Sequence, residues 1–424
     1  MTKKNIIKTD LTLYEEELSN GLKIFVIPKN NCNNIYVTFS TKYGSNVPEF
    51  IPLGSKKMKK FPYGIAHFLE HKLFEQEDGT DPFTFYSENG SDANANTSNY
   101  KTTYLFSGPL FLKENINYLL DYVQKPYFTD ENVSKEKGII IQEIKMYQDD
   151  PYSVLYEKSI YNSFVKHPIK IPVIGDIENV NKITKEDLYE CYNTFYHPSN
   201  MFVVVTGNVD PLEVIKIIKD NQKNKTFDDI SKMKLKTYDE PNDVYLKEDT
   251  INMDVNIPKI ALNYKINYQE LGLNLRDALS YLSLIFDINF GTTSLLNEKL
   301  RENNNIIGNM EFTLIHTDKH ILITIFGESE KKDKFISSVQ EQIKNMEINE
   351  PEFNRKKMNT AYSYIFMSDN IFNMNEKIMN NIINYNEVKI DSFEYYEKLK
   401  FDKCENILKE LDLSNYNVVT IEPK

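Results

Sequence analysis

Basic excess, cysteine, histidine and long apolar runs are all in short supply in this chain, and each shortage closes off a class of protein. Lysine and arginine number 50 against 62 aspartates and glutamates, a net charge of −12. Phosphate contact normally shows as a basic excess, so nucleic acid is not an expected partner, whereas cationic peptides suit an acidic surface. No apolar run approaches the roughly 18 residues of a membrane span. The N-terminal MTKKNIIKTDLTLYEEE begins basic but lacks the apolar stretch of about 7–15 residues that a secretory signal carries. A cytoplasmic location is the expectation. Cys32, Cys191 and Cys404 are odd in number and far apart, which speaks against a disulfide framework and a cysteine-ligated zinc site.

What remains is an ordinary globular composition, 41% hydrophobic and 26% charged. At 424 residues the chain is too long for one core and predicts two domains. Residues 13–27 read as a β-hairpin around Ser-Asn-Gly, and Asn34–Thr41 as a further strand. Pro62-Tyr63-Gly64 introduces a helix from Ile65 to about Glu75. A second helix covers Pro82–Glu88, residues 91–108 make two strands, and helices follow over Leu112–Val123, from Thr129 to about Gln148, over 153–164, and from Thr184 to Phe195. The β-branched run Met201–Gly207 is a strand. The polar segment 226–244 is the expected linker between domains 1–225 and 245–424. Beyond it the order partly recurs: strands near 258–266, 305–316, 319–326 and 416–421, with helices near 273–287, 330–345, 351–367, 370–384 and 402–411. The fold class is α+β, with two similar domains, each a mainly antiparallel sheet covered by helices on one face.

Histidine occurs only six times, yet His67 and His71 lie four apart with Glu70 between them. On a helix this spacing puts two imidazoles and a carboxylate on one face. Catalytic zinc commonly takes three protein ligands and keeps a fourth position for water, beside which an unligated carboxylate can act as general base. HFLEH is the inverted form, HxxEH, of the commoner zinc-hydrolase motif. His316 and His320 are also four apart, but Thr317-Asp318-Lys319 between two strands reads as a turn, so that pair is expected to be structural.

A third donor must come from elsewhere, and two glutamates compete for the role. Glu75 follows His71 by one helical turn. Glu143 sits among Ile139, Ile140, Ile141 and Ile144, where a carboxylate is costly to bury without a partner such as a metal ion. Glu136, two turns before Glu143, is placed to hydrogen-bond a histidine ligand. Physics alone favours Glu143 without excluding Glu75.

HFLEH followed by EKGIIIQE resembles the pitrilysin/insulinase family of zinc peptidases. The resemblance implies His67, His71 and Glu143 as zinc ligands, one ion per chain, Glu70 as general base and Glu136 as supporting acid. GSDANANTS is similar to the family's sheet-edge strand bearing Asn-Ala-x-Thr, which implies Asn94 and Ala95 as contacts to a peptide that adds as an extra strand. Asn96 stands where relatives often carry an aromatic residue. EKGIIIQEIKMYQDDP, YECYNTFYHPSNM and VTGNVDP resemble the short bacterial members, whose zinc-bearing subunits stand beside homologues lacking zinc ligands and pair as halves of a clamshell around a closed chamber.

Active members of that family carry, in the second domain, an arginine and a tyrosine seven residues later that hold the substrate. Here Arg301 is present, but the tyrosine position is Gly308. The resemblance therefore implies a zinc metallopeptidase subunit acting on peptides or unfolded leader segments, with a zinc-less partner chain supplying the missing clamp. A homodimer is the alternative assembly, and a non-catalytic structural or binding subunit of the same fold the alternative function.

Overall fold

The computed structural model describes residues 1–228 and 233–424. The rest of the expected linker 226–244 is described, but its residues 229–232 lie outside the described residues. The chain forms two compact units with exchanged segments. One holds residues 1–144, 172–237 and 364–392, and the other 145–171, 238–363 and 393–424. The change of unit at 237/238 falls within the expected linker. The excursions at 145–171 and 364–392 add segments to each unit that composition does not mark.

The first unit is built on a seven-stranded sheet in the order Thr2–Asn5, Thr12–Glu17, Lys23–Pro28, Met201–Gly207, Ile35–Thr41, Thr102–Gly108, Asp92–Thr97. All neighbours run antiparallel except Lys23–Pro28 with Met201–Gly207. The central strand Met201–Gly207 is buried throughout, which explains its unbroken apolar run. Side chains alternate across the sheet. One face receives the helices Ile65–Leu73, Leu112–Val123 and Pro211–Gln222. On the other, Phe25, Ile27, Phe202 and Val204 meet Met374, Ile378, Met379 and Ile382 of helix Ile371–Tyr385. That helix also carries Asn375, fully buried, whose side chain accepts from Thr38 (2.8 Å) and donates to the Val204 carbonyl (3.1 Å).

The second unit repeats the plan on five strands, in the order Glu248–Met253, Tyr416–Pro423, Lys259–Asn267, His320–Glu328, Ile307–His316. Its main core lies between one face of that sheet and helices that include Leu275–Phe290. Leu155 and Ile160 of helix Pro151–Ser163 pack on the other face. Strand Glu248–Met253 and helices Ile177–Lys182, Pro211–Gln222, Leu295–Glu302 and Ser392–Glu397 come in addition to the elements expected from the sequence. Among the described residues no helix is long and apolar enough to cross a membrane.

His316 and His320 flank the turn at 317–319, as the spacing suggests. His320 is fully buried and its Nε2 lies 2.9 Å from Asn242 Oδ1. Burial, with Lys265 adding to it, pulls its pKa down to about 4. It is a core histidine held neutral.

Candidate metal centre

The helix carrying the histidines runs from Ile65 to Leu73. Its N-cap is Gly64, at φ +87°, where a Cβ would stand 2.4 Å from the Ile174 carbonyl oxygen. Only glycine accepts both the left-handed backbone and that approach. Asn179 reinforces the entry by accepting the Tyr63 N–H at 3.2 Å. Ile65, Ala66, Phe68, Leu69 and Leu73 are buried, which turns His67, Glu70 and His71 towards the remaining side.

The helix stops at Leu73, two residues short of Glu75. Glu75 is ion-paired with Lys72, whose side chain is fully buried. Glu143 is the glutamate that comes to the histidines. It lies on helix Asp130–Asp149, introduced by Thr129, whose hydroxyl accepts the Asn132 N–H while Asn132 returns a bond to Thr129 N–H. Asn132, Glu136, Ile140 and Ile144 recur every four residues as its buried face. Burial among isoleucines, the argument that favoured Glu143 in the sequence, does not hold as stated. Glu143 keeps 23% of its side chain exposed, and neighbouring Ile139 is 48% exposed. Its place beside two imidazoles, not an apolar cage, is what singles it out.

One ligand atom from each of His67, His71 and Glu143 lies within 4.8 Å of the others. His67 Nε2 is 3.8 Å from Glu143 Oε1, and His71 Nε2 is 3.6 Å from Glu143 Oε2. On the opposite edge of its ring, His71 Nδ1 lies 2.9 Å from Glu136 Oε1. Glu136 is buried, and with Nδ1 as the donor of this contact Nε2 is the ring atom left on the Glu143 side. His67 Nδ1 is buried without a hydrogen-bond partner.

The electrostatics differ from residue to residue. Burial, then the charge of His71, pulls the His67 pKa down to about 3. For His71 burial works in the same direction, but the Glu136 hydrogen bond and the charges of Glu136, Glu70 and Glu143 outweigh it and leave the pKa raised. Glu70 is 8% exposed. Burial lifts its pKa, against the hydrogen bond from Thr97. That bond, Thr97 Oγ1 to Glu70 Oε2 at 2.6 Å, brings in a residue of GSDANANTS that has no expected role from the sequence. The signal is its parity: Ala93, Ala95 and Thr97 share the half-buried side of the strand, and Asp92, Asn94 and Asn96 the exposed side.

Asn94 and Ala95 lie on strand Asp92–Thr97, the outermost of the seven, which among the described residues pairs only with Thr102–Gly108. Asn94 Oδ1 accepts the Ala95 N–H at 2.8 Å. Arg301 belongs to the second unit, exposed near the end of helix Leu295–Glu302. Gly308 follows at φ +70°.

Comparison with known proteins agrees with this architecture. The family model "Insulinase (Peptidase family M16)" matches residues 38–177, and "Peptidase M16 inactive domain" matches residues 182–360. The uncharacterized zinc protease YmfH of Bacillus subtilis (strain 168) is 50% identical over 223 residues, which is 53% of this chain and 52% of that protein. The chain spans about half the length of the curated relatives it matches. Among solved structures, an M16-like peptidase from Alicyclobacillus acidocaldarius superposes with a TM-score of 0.92 at 26% identity, over 99% of this chain and 100% of that one. A protease from Helicobacter pylori shares the fold, with a TM-score of 0.83 at 18% identity over 97% and 99% of the two chains.

Proposed function

We propose that this chain, which belongs to the insulinase family of peptidases (peptidase family M16), is the metal-bearing subunit of a zinc endopeptidase that hydrolyses peptides or unfolded leader segments. The observation that carries the reading is the convergence of His67, His71 and Glu143 beside a carboxylate, Glu70, that is no part of the trio. Donor separations of 3.6 and 3.8 Å come near the roughly 3.4 Å between neighbouring ligands of a tetrahedral ion with bonds of about 2.1 Å. Two neutral nitrogens and one carboxylate are also a donor set that suits zinc. The relatives named zinc proteases support the same metal.

Zinc held there would supply Lewis-acid chemistry, polarising a water and the scissile carbonyl. The protein does the rest. Glu136 keeps the His71 proton on Nδ1, so that Nε2 faces inward. The low pKa of His67 keeps that imidazole neutral and ready to ligate. Glu70, raised in pKa by burial, takes a proton from the attacking water and returns it to the leaving amine. The unpaired edge of Asp92–Thr97 receives the peptide as an added strand, with Asn94 and Ala95 as contacts.

The reading extends to assembly. Gly308 has no side chain with which to hold a substrate, so Arg301 lacks its companion. A homologous subunit without zinc ligands supplies the clamp and closes the chamber, in the cytoplasm. Cleavage of a quenched peptide by the purified chain, alone and with its partner, tests both levels. Hydrolysis is expected to be abolished by a chelator and by Glu70→Gln, with zinc retained in the Glu70→Gln protein. Zinc and peptide binding without cleavage would instead identify a non-catalytic subunit. Full activity from a homodimer of this chain alone would overturn the heterodimer.

A further inference from the structure

We infer that Thr97 is the positioning residue of the base: its hydroxyl holds the Glu70 carboxylate in place, so the strand offered to a peptide and the orientation of the base are set by one element. The inference rests on the peptidase reading above and adds to it a residue to which that reading gives no task.

Glu70 is almost fully buried, and a carboxylate in that setting takes its orientation from its donors. The Thr97 hydroxyl donates to Glu70 Oε2 at 2.6 Å, a short bond of the charge-assisted kind. Threonine is β-branched and stiff about χ1, so its hydroxyl holds a direction better than an unbranched donor would. The strand beneath it is also fixed. Thr97 is the last residue of Asp92–Thr97 and pairs with Thr102. Thr102 is fully buried, donates its hydroxyl to the Tyr43 carbonyl at 3.0 Å, and lies 3.3 Å from the Thr97 hydroxyl. The turn between the two threonines closes through Ser98 N–H to the Lys101 carbonyl (2.8 Å). It is tied from outside by Ser45 N–H to the Ser98 carbonyl (3.1 Å) and Asn46 N–H to the Asn99 carbonyl (3.0 Å).

Thr97 thus stands where a rigid turn becomes an open sheet edge. A peptide that adds to that edge is registered against the same backbone that aims Glu70. Base and substrate share one reference frame, and a base misplaced by about 1 Å costs on the order of 100-fold in rate.

Thr97→Val removes the hydroxyl and keeps the shape, while Thr97→Ser keeps the hydroxyl. With the zinc-loaded protein and its partner on a quenched peptide, Thr97→Val is expected to lower kcat by about 10- to 100-fold. KM should stay within about twofold and bound zinc should be unchanged. Thr97→Ser is expected to recover to within about threefold of the parent. Equal losses in the two variants, or a loss confined to KM, would overturn the inference. A crystal structure of Thr97→Val supplies a readout independent of turnover: the Glu70 carboxylate should leave its position in the parent protein. Glu70 unmoved in that structure would also overturn it. If the parent protein cleaves no peptide at all, the peptidase reading fails, and the position of Glu70 in Thr97→Val still decides whether Thr97 holds it.

Discussion

Removing the carboxylate behind His71 is the perturbation that most directly probes the proposed metal site without touching a ligand. Glu136 Oε1 lies 2.9 Å from His71 Nδ1, and the two side chains are 12% and 25% exposed. A hydrogen bond to a charged group is worth about 1.5–3 kcal/mol and a neutral one about 0.5–1.5 kcal/mol. Glu136→Gln keeps an acceptor but loses the charge, a difference of about 1–1.5 kcal/mol, or roughly 5- to 10-fold in zinc affinity. Glu136→Ala loses the bond entirely and also releases the imidazole to rotate, which puts it at roughly 10- to 100-fold. Titration of the metal-free proteins with zinc against a chromogenic chelator gives both constants, and circular dichroism checks that the helix survives. The expected order is parent, Glu136→Gln, Glu136→Ala, with at least about tenfold between the ends. Three affinities within twofold of one another would refute the reasoning, because the His71–Glu136 contact would then have no bearing on the ring that faces Glu143.

Three further outcomes follow from the fold. Gly64→Ala places a Cβ 2.4 Å from the Ile174 carbonyl oxygen at φ +87°, so urea denaturation should show a loss of at least about 2 kcal/mol and zinc affinity should fall with it; an unchanged midpoint would contradict the close approach. Asn375→Ala leaves the Thr38 hydroxyl and the Val204 carbonyl without their buried partner, at about 2–4 kcal/mol, and a change below about 0.5 kcal/mol would show the network to be replaceable by water. His320 has a folded pKa of about 4 against an unfolded value of about 6.5. Below pH 6.5 the unfolded chain binds the extra proton, so the stability due to neutral His320 is present at pH 7 and lost progressively down to about pH 4. Between pH 7 and pH 5 the parent should lose about 2 kcal/mol more than His320→Gln in urea titrations, and parallel losses would sink the assignment.

Much of this was legible in the sequence, and the boundary of legibility has a physical cause. Helices Pro82–Glu88 and Leu112–Val123 begin and end where caps and apolar spacing put them, because those signals are local. The α+β class followed from the succession of strands and helices. Strand Glu248–Met253 stayed hidden because it is a sheet edge whose residues alternate between exposed and partly exposed, leaving no apolar period to read. Helix Ile371–Tyr385 was visible as an amphipathic segment, but its period of 3.6 residues says nothing about which sheet its apolar face meets. In the structure it meets strands that precede it by more than 160 residues, through Asn375 and Val204. The candidate site divides in the same way. His67, Glu70 and His71 lie within one helical turn and announce themselves. Glu143 and Glu136 needed a rule about how one distant helix approaches another, which the family resemblance supplied. Thr97 shares the side of Ala93 and Ala95 by parity along its strand, but no spacing encodes which helix that side meets.

Gly308 belongs to this second kind, and its backbone says more than its missing side chain does. The absence of a side chain alone would leave an ordinary strand behind. Instead Gly308 takes φ +70° where the edge strand Ile307–His316 slips out of register with His320–Glu328, between Ile307 and Glu311. Space is not the obstacle, since a Cβ at 308 would meet no atom within 4 Å. The backbone is: left-handed conformation costs an L-residue about 1–2 kcal/mol, and a break in register re-aims the side chains around it. The edge strand of the second unit therefore departs from a regular ladder around Gly308 in its backbone as well as in a missing side chain. The first unit, by contrast, keeps its edge strand Asp92–Thr97 in unbroken register with its neighbour along its whole length. A chain that keeps one sheet edge in register beside its candidate metal centre and breaks the register of an edge in its second unit is asymmetric in those edges. That asymmetry is the physical argument for a partner subunit in the proposed function.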